Sequence, residues 1–243
     1  MPDSAVQTQQ PFVFDLDAGR ACLDFANTRS LSADHLNSYA DLLAFASQAE
    51  LVTPQVFDWL RAEAVRRPTP AQATFQQAAT LRDALRRVFL AIANDLRPED
   101  ADVAVLNVVL ATSLAHACVR LEGPGDAYGW GWSGVDLTAP LWPIVRSAAD
   151  VLTSEQERPL VRECGASDCT WLFVDSTRNR SRQWCSMTSC GNREKARRHY
   201  QRIKANRTGD AAGQGQAADA QPARRPGHRT GAAPAGAASA KAE

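Results

Sequence analysis

Four cysteines constrain this chain more than any other feature. They fall as Cys164-x4-Cys169-x15-Cys185-x4-Cys190, two close pairs separated by a 15-residue spacer. Zinc takes four thiolates in a tetrahedron, and a structural site fills all four positions. Two tight pairs let two knuckles face each other across one ion. The competing readings are disulfides or unrelated buried thiols, and a reducing compartment disfavours the first. A catalytic zinc would keep one position open and would usually recruit a histidine or carboxylate. The spacing therefore predicts one structural zinc per chain on Cys164, Cys169, Cys185 and Cys190. The two remaining cysteines, Cys22 and Cys118, stand alone in apolar sequence and read as small core residues.

The neighbours of the cysteines fit a small metal-dependent module. Gly165 and Gly191 remove side-chain bulk beside two ligands. Trp171-Leu-Phe-Val174 is an apolar, β-prone run that supplies a core too small to stand without the ion. Loss of a ligand is accordingly expected to unfold residues 164–204 and to spare the rest. Asp175 to Trp184 is polar and basic, with Arg178, Arg180 and Arg182. From Cys190 the chain reads as a helix. At about 100° per residue, Ala196, Tyr200 and Ile203 share a face expected to dock on the finger. Lys195, Arg198 and Arg202 form one flanking stripe, and Arg193, Arg197 and Lys204 the other. Such a surface can straddle phosphates; the bland alternative is a solvated helix face.

Charge divides the chain in the same place. The net formal charge is zero, but residues 1–158 hold 12 Lys/Arg against 20 Asp/Glu, or −8. Residues 159–207 hold 11 against 4, or +7, and residues 208–243 hold 4 against 3, or +1. So sharp an asymmetry suggests modules with different partners. Three regions are expected: an acidic, mainly helical domain over 1–158, a basic finger over 159–207, and a disordered tail over 208–243, whose Ala, Gly, Pro and Gln cannot bury a core.

Within the first region, Phe12-Val-Phe-Asp-Leu16 alternates like a short strand, and residues 19–28 fit a core-facing strand or helix equally. Thr53-Pro54 and Thr69-Pro70 are helix start signals. Pro98 ends the apolar-periodic helix after Thr69-Pro70 and can open the next, rich in Val and Leu, to about Ala117; Thr138 caps another running to about Leu152. Cys118–Glu122 and Ala127–Trp132 flank Gly123-Pro-Gly-Asp126 and read as a β-hairpin. The fold class expected is α+β: a mainly helical domain with a small hairpin, then a treble-clef-like or ribbon-like four-cysteine zinc finger. Asp15, Asp17 and Asp24 read as local hydrogen-bond acceptors, and His35 and His116 as isolated. Nothing places a nucleophile beside a base, so an enzyme is not expected. The first ten residues hold no leader-like pattern, and no run approaches the roughly 20 apolar residues of a membrane span. A cytoplasmic protein with no membrane partner is expected.

These residues resemble a known family. Trp184-Cys185-Ser-Met-Thr-Ser-Cys190-Gly-Asn-Arg-Glu-Lys195 looks like the CGNR zinc finger, with its name-giving Cys-Gly-Asn-Arg. Phe173-Val-Asp175 and Thr177-Arg-Asn-Arg-Ser-Arg182 are similar to the segment before it. Upstream, Gly19-Arg-Ala-Cys-Leu-Asp-Phe-Ala-Asn-Thr28 resembles the opening of the ABATE domain that commonly precedes this finger. The resemblance spans roughly residues 12–205 and implies a transcription regulator with a DNA-binding finger. The expected partners are DNA, a small-molecule effector of the first domain and a second copy in a homodimer. Arg193, Lys195, Arg197 and Arg198 are the first candidates for phosphate contact. Arg202, Lys204, Arg178, Arg180 and Arg182 extend the patch. The alternative is a zinc-thiolate redox sensor, or a ligand sensor that does not touch DNA.

Overall fold

The computed structural model describes residues 12–121 and 127–213, with side chains as far as Lys204. The chain forms two compact units, Met1–Ala196 and Arg197–Glu243. In the first, the elements run α1 (Ala21–Ala26), α2 (Tyr39–Gln48), α3 (Pro54–Arg66), α4 (Pro68–Ala93) and α5 (Asp100–Leu114). The antiparallel hairpin β1 (Ala117–Leu121) and β2 (Tyr128–Trp132) follows, then α6 (Leu141–Thr153). A second antiparallel hairpin, β3 (Val161–Glu163) and β4 (Leu172–Val174), leads to α7 (Asn192–Gly213). The second unit takes up α7 from Arg197.

Side-chain caps set two of the helix starts, whereas α6 begins at Leu141 without the expected Thr138 cap. Ser38 caps α2 by accepting from the Asp41 amide, and Thr53 caps α3 by accepting from Val56. Pro54 then sits where no amide hydrogen bond is lost. The Thr69-Pro70 signal is offset: α4 already begins at Pro68, so Thr69 lies inside the first turn. The ambiguous segment 19–28 resolves as helix α1. Phe12–Leu16 forms no strand. Gln48 takes the place of a strand partner, accepting from the Phe14 amide at 2.9 Å and donating to the Phe12 carbonyl at 2.7 Å. The first hairpin is present as expected; its turn, 123–126, lies outside the described residues. Helix α7 extends to Gly213, past the expected start of the disordered tail at residue 208; residues 214–243 lie outside the described residues.

One continuous core runs through the first unit. Phe25, Phe45, Phe89 and Trp142 from the helices share it with Leu172 and Phe173 from β4. Packing does not pause at residue 158: β3 lies against α4, and β4 against α1. Polar groups reinforce this join. Arg82, almost fully buried, grips the Asp34 carboxylate with both terminal guanidinium nitrogens at 2.6 and 2.8 Å. That pair pins the loop after α1 to α4. One turn on, Arg86 reaches the Thr170 carbonyl at 3.3 Å. The second hairpin is thus mounted on the helical layer before its metal is considered.

Candidate metal centre

The first knuckle is the turn of the second hairpin. Cys164 follows β3 and Cys169 shortly precedes β4. The Cys164 amide donates to the Trp171 carbonyl at 2.8 Å, and the Cys169 amide to the Ala166 carbonyl at 3.0 Å, which closes the turn. The second knuckle brackets the entry to α7. Cys185 ends an irregular loop, and Cys190 lies in a widened turn, Met187–Gly191, where the Gly191 amide reaches back to the Ser186 carbonyl at 3.0 Å. A hairpin knuckle opposed to a helix N-terminus is the treble-clef-like arrangement of the two finger types expected.

Both flanking glycines sit in close quarters. A Cβ on Gly191 would sit 2.8 Å from the Met187 sulfur and 3.2 Å from the Trp184 ring. On Gly165 it would lie 3.2 Å from the Gln183 carbonyl oxygen, which already accepts from the Gly165 amide. Trp184 therefore serves as a wedge between the two knuckles.

The four sulfurs all lie within 4.8 Å of one another. Cys169 and Cys185 are separated by 3.8 Å, and Cys185 and Cys190 by 3.5 Å. A tetrahedron with Zn–S bonds of about 2.3 Å has edges of about 3.8 Å, so these separations fit one ion. Left as thiols, the group is electrostatically uneven. The Cys185 hydrogen bond pulls Cys169 down to about 5, while Cys185 is driven upward by its contact with Cys169 and by burial. Burial also raises Cys164. A divalent cation removes this conflict, because it stabilises all four thiolates together.

Four thiolates around one divalent ion leave a net charge of −2, which the surroundings address. The Cys185 amide donates to Cys164 Sγ at 3.4 Å. Arg193 donates to Cys190 Sγ at 3.2 Å and to the Asp168 carboxylate at 2.9 Å, bridging the second knuckle to the first. Such outer partners orient ligands and tune affinity. Ser167 of the first knuckle donates to Glu194, which is buried in the first turn of α7, at 3.4 Å. The Asn192 side chain donates to the Thr188 carbonyl at 3.3 Å and so steadies the entry to the helix.

The basic residues separate into distinct environments. Arg178 and Arg180 are exposed on the loop between the knuckles. Buried Asp175 organises that loop by accepting from Thr177 and from the Arg182 amide; these bonds hold its carboxyl below the usual range although burial opposes them. Arg182 differs from its loop neighbours. Its guanidinium stacks over Phe173 at 4.4 Å and donates to the carbonyls of Trp184 and Cys185. These internal bonds give it a structural place in the finger, not the outward position expected of a phosphate contact. Arg193 pairs with Cys190 and Asp168 while remaining exposed. Lys195 is exposed on the same turn, as is Ala196, so the expected docking of an Ala196, Tyr200 and Ile203 face fails at its first member. The inward side of this turn is Cys190, Gly191 and Glu194 instead. Arg197, Arg198, Arg202 and Lys204 follow on α7 in the second unit.

A cleft of about 620 Å³ opens beside the centre, lined by Cys169, Cys185 and Cys190 together with Asp15, Asp17 and His35. Sequence reasoning missed Asp168, Asn27 and Thr170 as parts of the centre's support. Their partners are backbone groups or residues distant in the chain, and no local pattern announces them. His116, expected to stand alone, is packed structurally. Its ring stacks on Trp142 at 4.0 Å and its Nδ1 lies 3.2 Å from the Ser133 carbonyl.

Comparison with known proteins agrees with this geometry. Residues 19–155 match the ABATE family, described as "Putative stress-induced transcription regulator". Residues 161–203 match the CGNR zinc finger. No curated protein matches the chain. The first match covers more than half of the sequence, and the second contains all four sulfur ligands. The chain therefore belongs to the ABATE family, with a CGNR zinc finger that holds one structural zinc on Cys164, Cys169, Cys185 and Cys190.

Proposed function

We propose that this protein is a cytoplasmic, zinc-dependent DNA-binding regulator of transcription with no catalytic step of its own. The observation that carries the reading is the position of α7. It issues from ligand Cys190, and residues 193–204 hold Arg193, Lys195, Arg197, Arg198, Arg202 and Lys204 against one acid, Glu194, which is buried. Metal binding fixes the start of a helix whose excess of cations suits a phosphate backbone. Arg178 and Arg180 add exposed charge on the inter-knuckle loop. In this reading Arg182 and Arg193 brace the centre, and Lys195, Arg197, Arg198, Arg202 and Lys204 contact phosphates. The helical domain carries the regulatory input, through a small-molecule effector or the pairing of two chains. The test is duplex DNA binding by the zinc-loaded full chain across a salt titration. A steep fall in affinity with salt is expected, and binding that is absent or indifferent to salt refutes the reading.

A second reading is favoured by the cleft along Cys169, Cys185 and Cys190. An oxidant entering there meets three of the four zinc thiolates. Two thiolates would lose two electrons to a hydroperoxide and form a disulfide; with two protons the peroxide becomes an alcohol and water, and zinc leaves. Zinc release by mild peroxide, reversed by a thiol reductant, is the expected sign of a redox sensor. Retention of zinc under those conditions removes this reading and leaves the first untouched.

A further inference from the structure

The hairpin β1–β2 has two unlike faces. Its register pairs Val119 with Trp130 and Leu121 with Tyr128, and the two-residue alternation of strands puts all four side chains on one face. On the opposite face Arg120 lies across β2, so close that a Cβ on Gly131 would collide with it. At its base the apolar face joins the core through Trp132, 5.7 Å from Trp142. Beyond that point, apart from Arg146 over the Trp130 ring, the face is largely open. Val119 is 66% exposed, Leu121 62%, Tyr128 70% and Trp130 57%.

Two features set this face apart from incidental surface. A two-stranded hairpin is marginal by itself, and a sheet becomes stable when its apolar face is covered. The patch is also held ready: Arg146 of α6 packs over the Trp130 ring at 4.0 Å and is fixed in turn by Asp150 at 2.8 Å. A rigid Trp with Tyr and Arg beside it has the composition of an interface anchor.

We infer that the hairpin face formed by Val119, Leu121, Tyr128 and Trp130 binds a second copy of this chain, making a two-fold homodimer. Area decides the choice of occupant. The four side chains leave roughly 500 Å² of mainly apolar surface open on each chain. Two such faces brought together bury up to roughly 1,000 Å², enough for a weak, concentration-dependent association. An isologous contact needs only that the face complement itself. An apolar stripe whose strand arginine is turned to the other side, and whose flanking cation Arg146 is paired with Asp150, meets that condition without opposing unpaired like charges. The inference does not depend on DNA binding, since the hairpin is remote in sequence from the finger and its assembly is measured without DNA.

The experiment is sedimentation velocity on the zinc-loaded full chain, from low to high micromolar concentration. The natural sequence is expected to pass from monomer to dimer across this range. The double variant Val119→Glu/Leu121→Glu is expected to stay monomeric at every concentration, with unchanged zinc content and far-ultraviolet dichroism. Tyr128→Glu, a single exposed change, supplies the same readout should the double variant fold poorly. A natural chain that remains monomeric throughout overturns the inference, whether or not another protein or a ligand covers the face. Dimerisation of the charged variants equal to that of the natural chain overturns it as well.

Discussion

Asn27 and Leu172, 145 positions apart, exchange two hydrogen bonds. The Leu172 amide donates to Asn27 Oδ1 at 2.9 Å, and Asn27 Nδ2 donates to the Leu172 carbonyl at 2.8 Å. The side-chain amide thus behaves as one residue of a neighbouring strand and ties the end of α1 to β4, immediately after the first zinc knuckle. Both residues are buried. Asn27→Ala would leave a buried donor and a buried acceptor without partners. The expected loss is about 2–4 kcal/mol, read from urea unfolding. Zinc should also transfer faster to a chelator. An unchanged unfolding midpoint would show that water replaces the amide at no cost.

The metal has consequences beyond the finger. From sequence, losing a ligand should unfold residues 164–204 and spare the helices. The packing revises that expectation, because Leu172 and Phe173 are completely buried in the core shared with α1 and α4. Cys185→Ser is expected to abolish stoichiometric zinc binding and also to lower the thermal midpoint of the helical signal. A helical domain that melts at its original temperature would restore the two-module picture.

Arg193→Gln makes a more selective change. It removes the charge that Arg193 brings to Cys190 Sγ and breaks the Asp168 link. A tenfold to hundredfold loss of zinc affinity is expected, as is usual for an outer partner. Chelator competition measures it; unchanged affinity would make Arg193 available for another role.

The zinc ligands were legible because thiolate chemistry imposes its own spacing, α2 and α4 because they carry periodic apolar faces, and α5 because an apolar run follows Pro98. Thr53-Pro54 marked its helix start to the residue. What escaped were contacts whose logic is tertiary. Nothing near Asn27 says that its amide faces a strand 145 residues away. Arg178, Arg180 and Arg182 alternate along one loop and look equivalent as sequence. Only packing separates Arg182, over Phe173, from its two exposed neighbours. Gln48 standing in for a strand partner explains why an alternating segment at Phe12–Leu16 is not a strand.

Asp24 gives the folded state a pH dependence. Burial, reinforced by Asp17 and opposed by a hydrogen bond from the Ala18 amide, pushes its carboxyl from 3.8 up to about 6. The folded chain therefore binds this proton more tightly than the unfolded chain does. Stability falls as pH rises from about 4 to about 6, and the full deficit persists at neutral pH. Asn keeps the acceptor for Ala18 without the charge. Asp24→Asn is expected to flatten this slope and to raise stability at pH 7 by up to about 3 kcal/mol. Parallel stability–pH curves for the two proteins would show that Asp24 ionises normally.

The proposed DNA surface can be separated from the finger's internal bracing by comparing variants that remove similar charge. Arg197→Gln/Arg198→Gln deletes two cations of α7 beyond the zinc knuckles. If both contact phosphate, the logarithmic salt slope should decrease by up to about two units, with zinc content unchanged. Arg182→Gln removes a guanidinium that holds the carbonyls of Trp184 and Cys185 and stacks on Phe173. Its effect should appear as lower finger stability and easier zinc loss, with the salt slope of the remaining folded protein preserved. The contrast matters because general charge loss would weaken nonspecific attraction in both cases. Equal changes of slope in the two variants would mean that net charge, not α7, governs binding. A normal slope after the double substitution would remove Arg197 and Arg198 from the interface and leave Lys195, Arg202, Lys204 and the loop of Arg178 and Arg180 as the remaining basic surface.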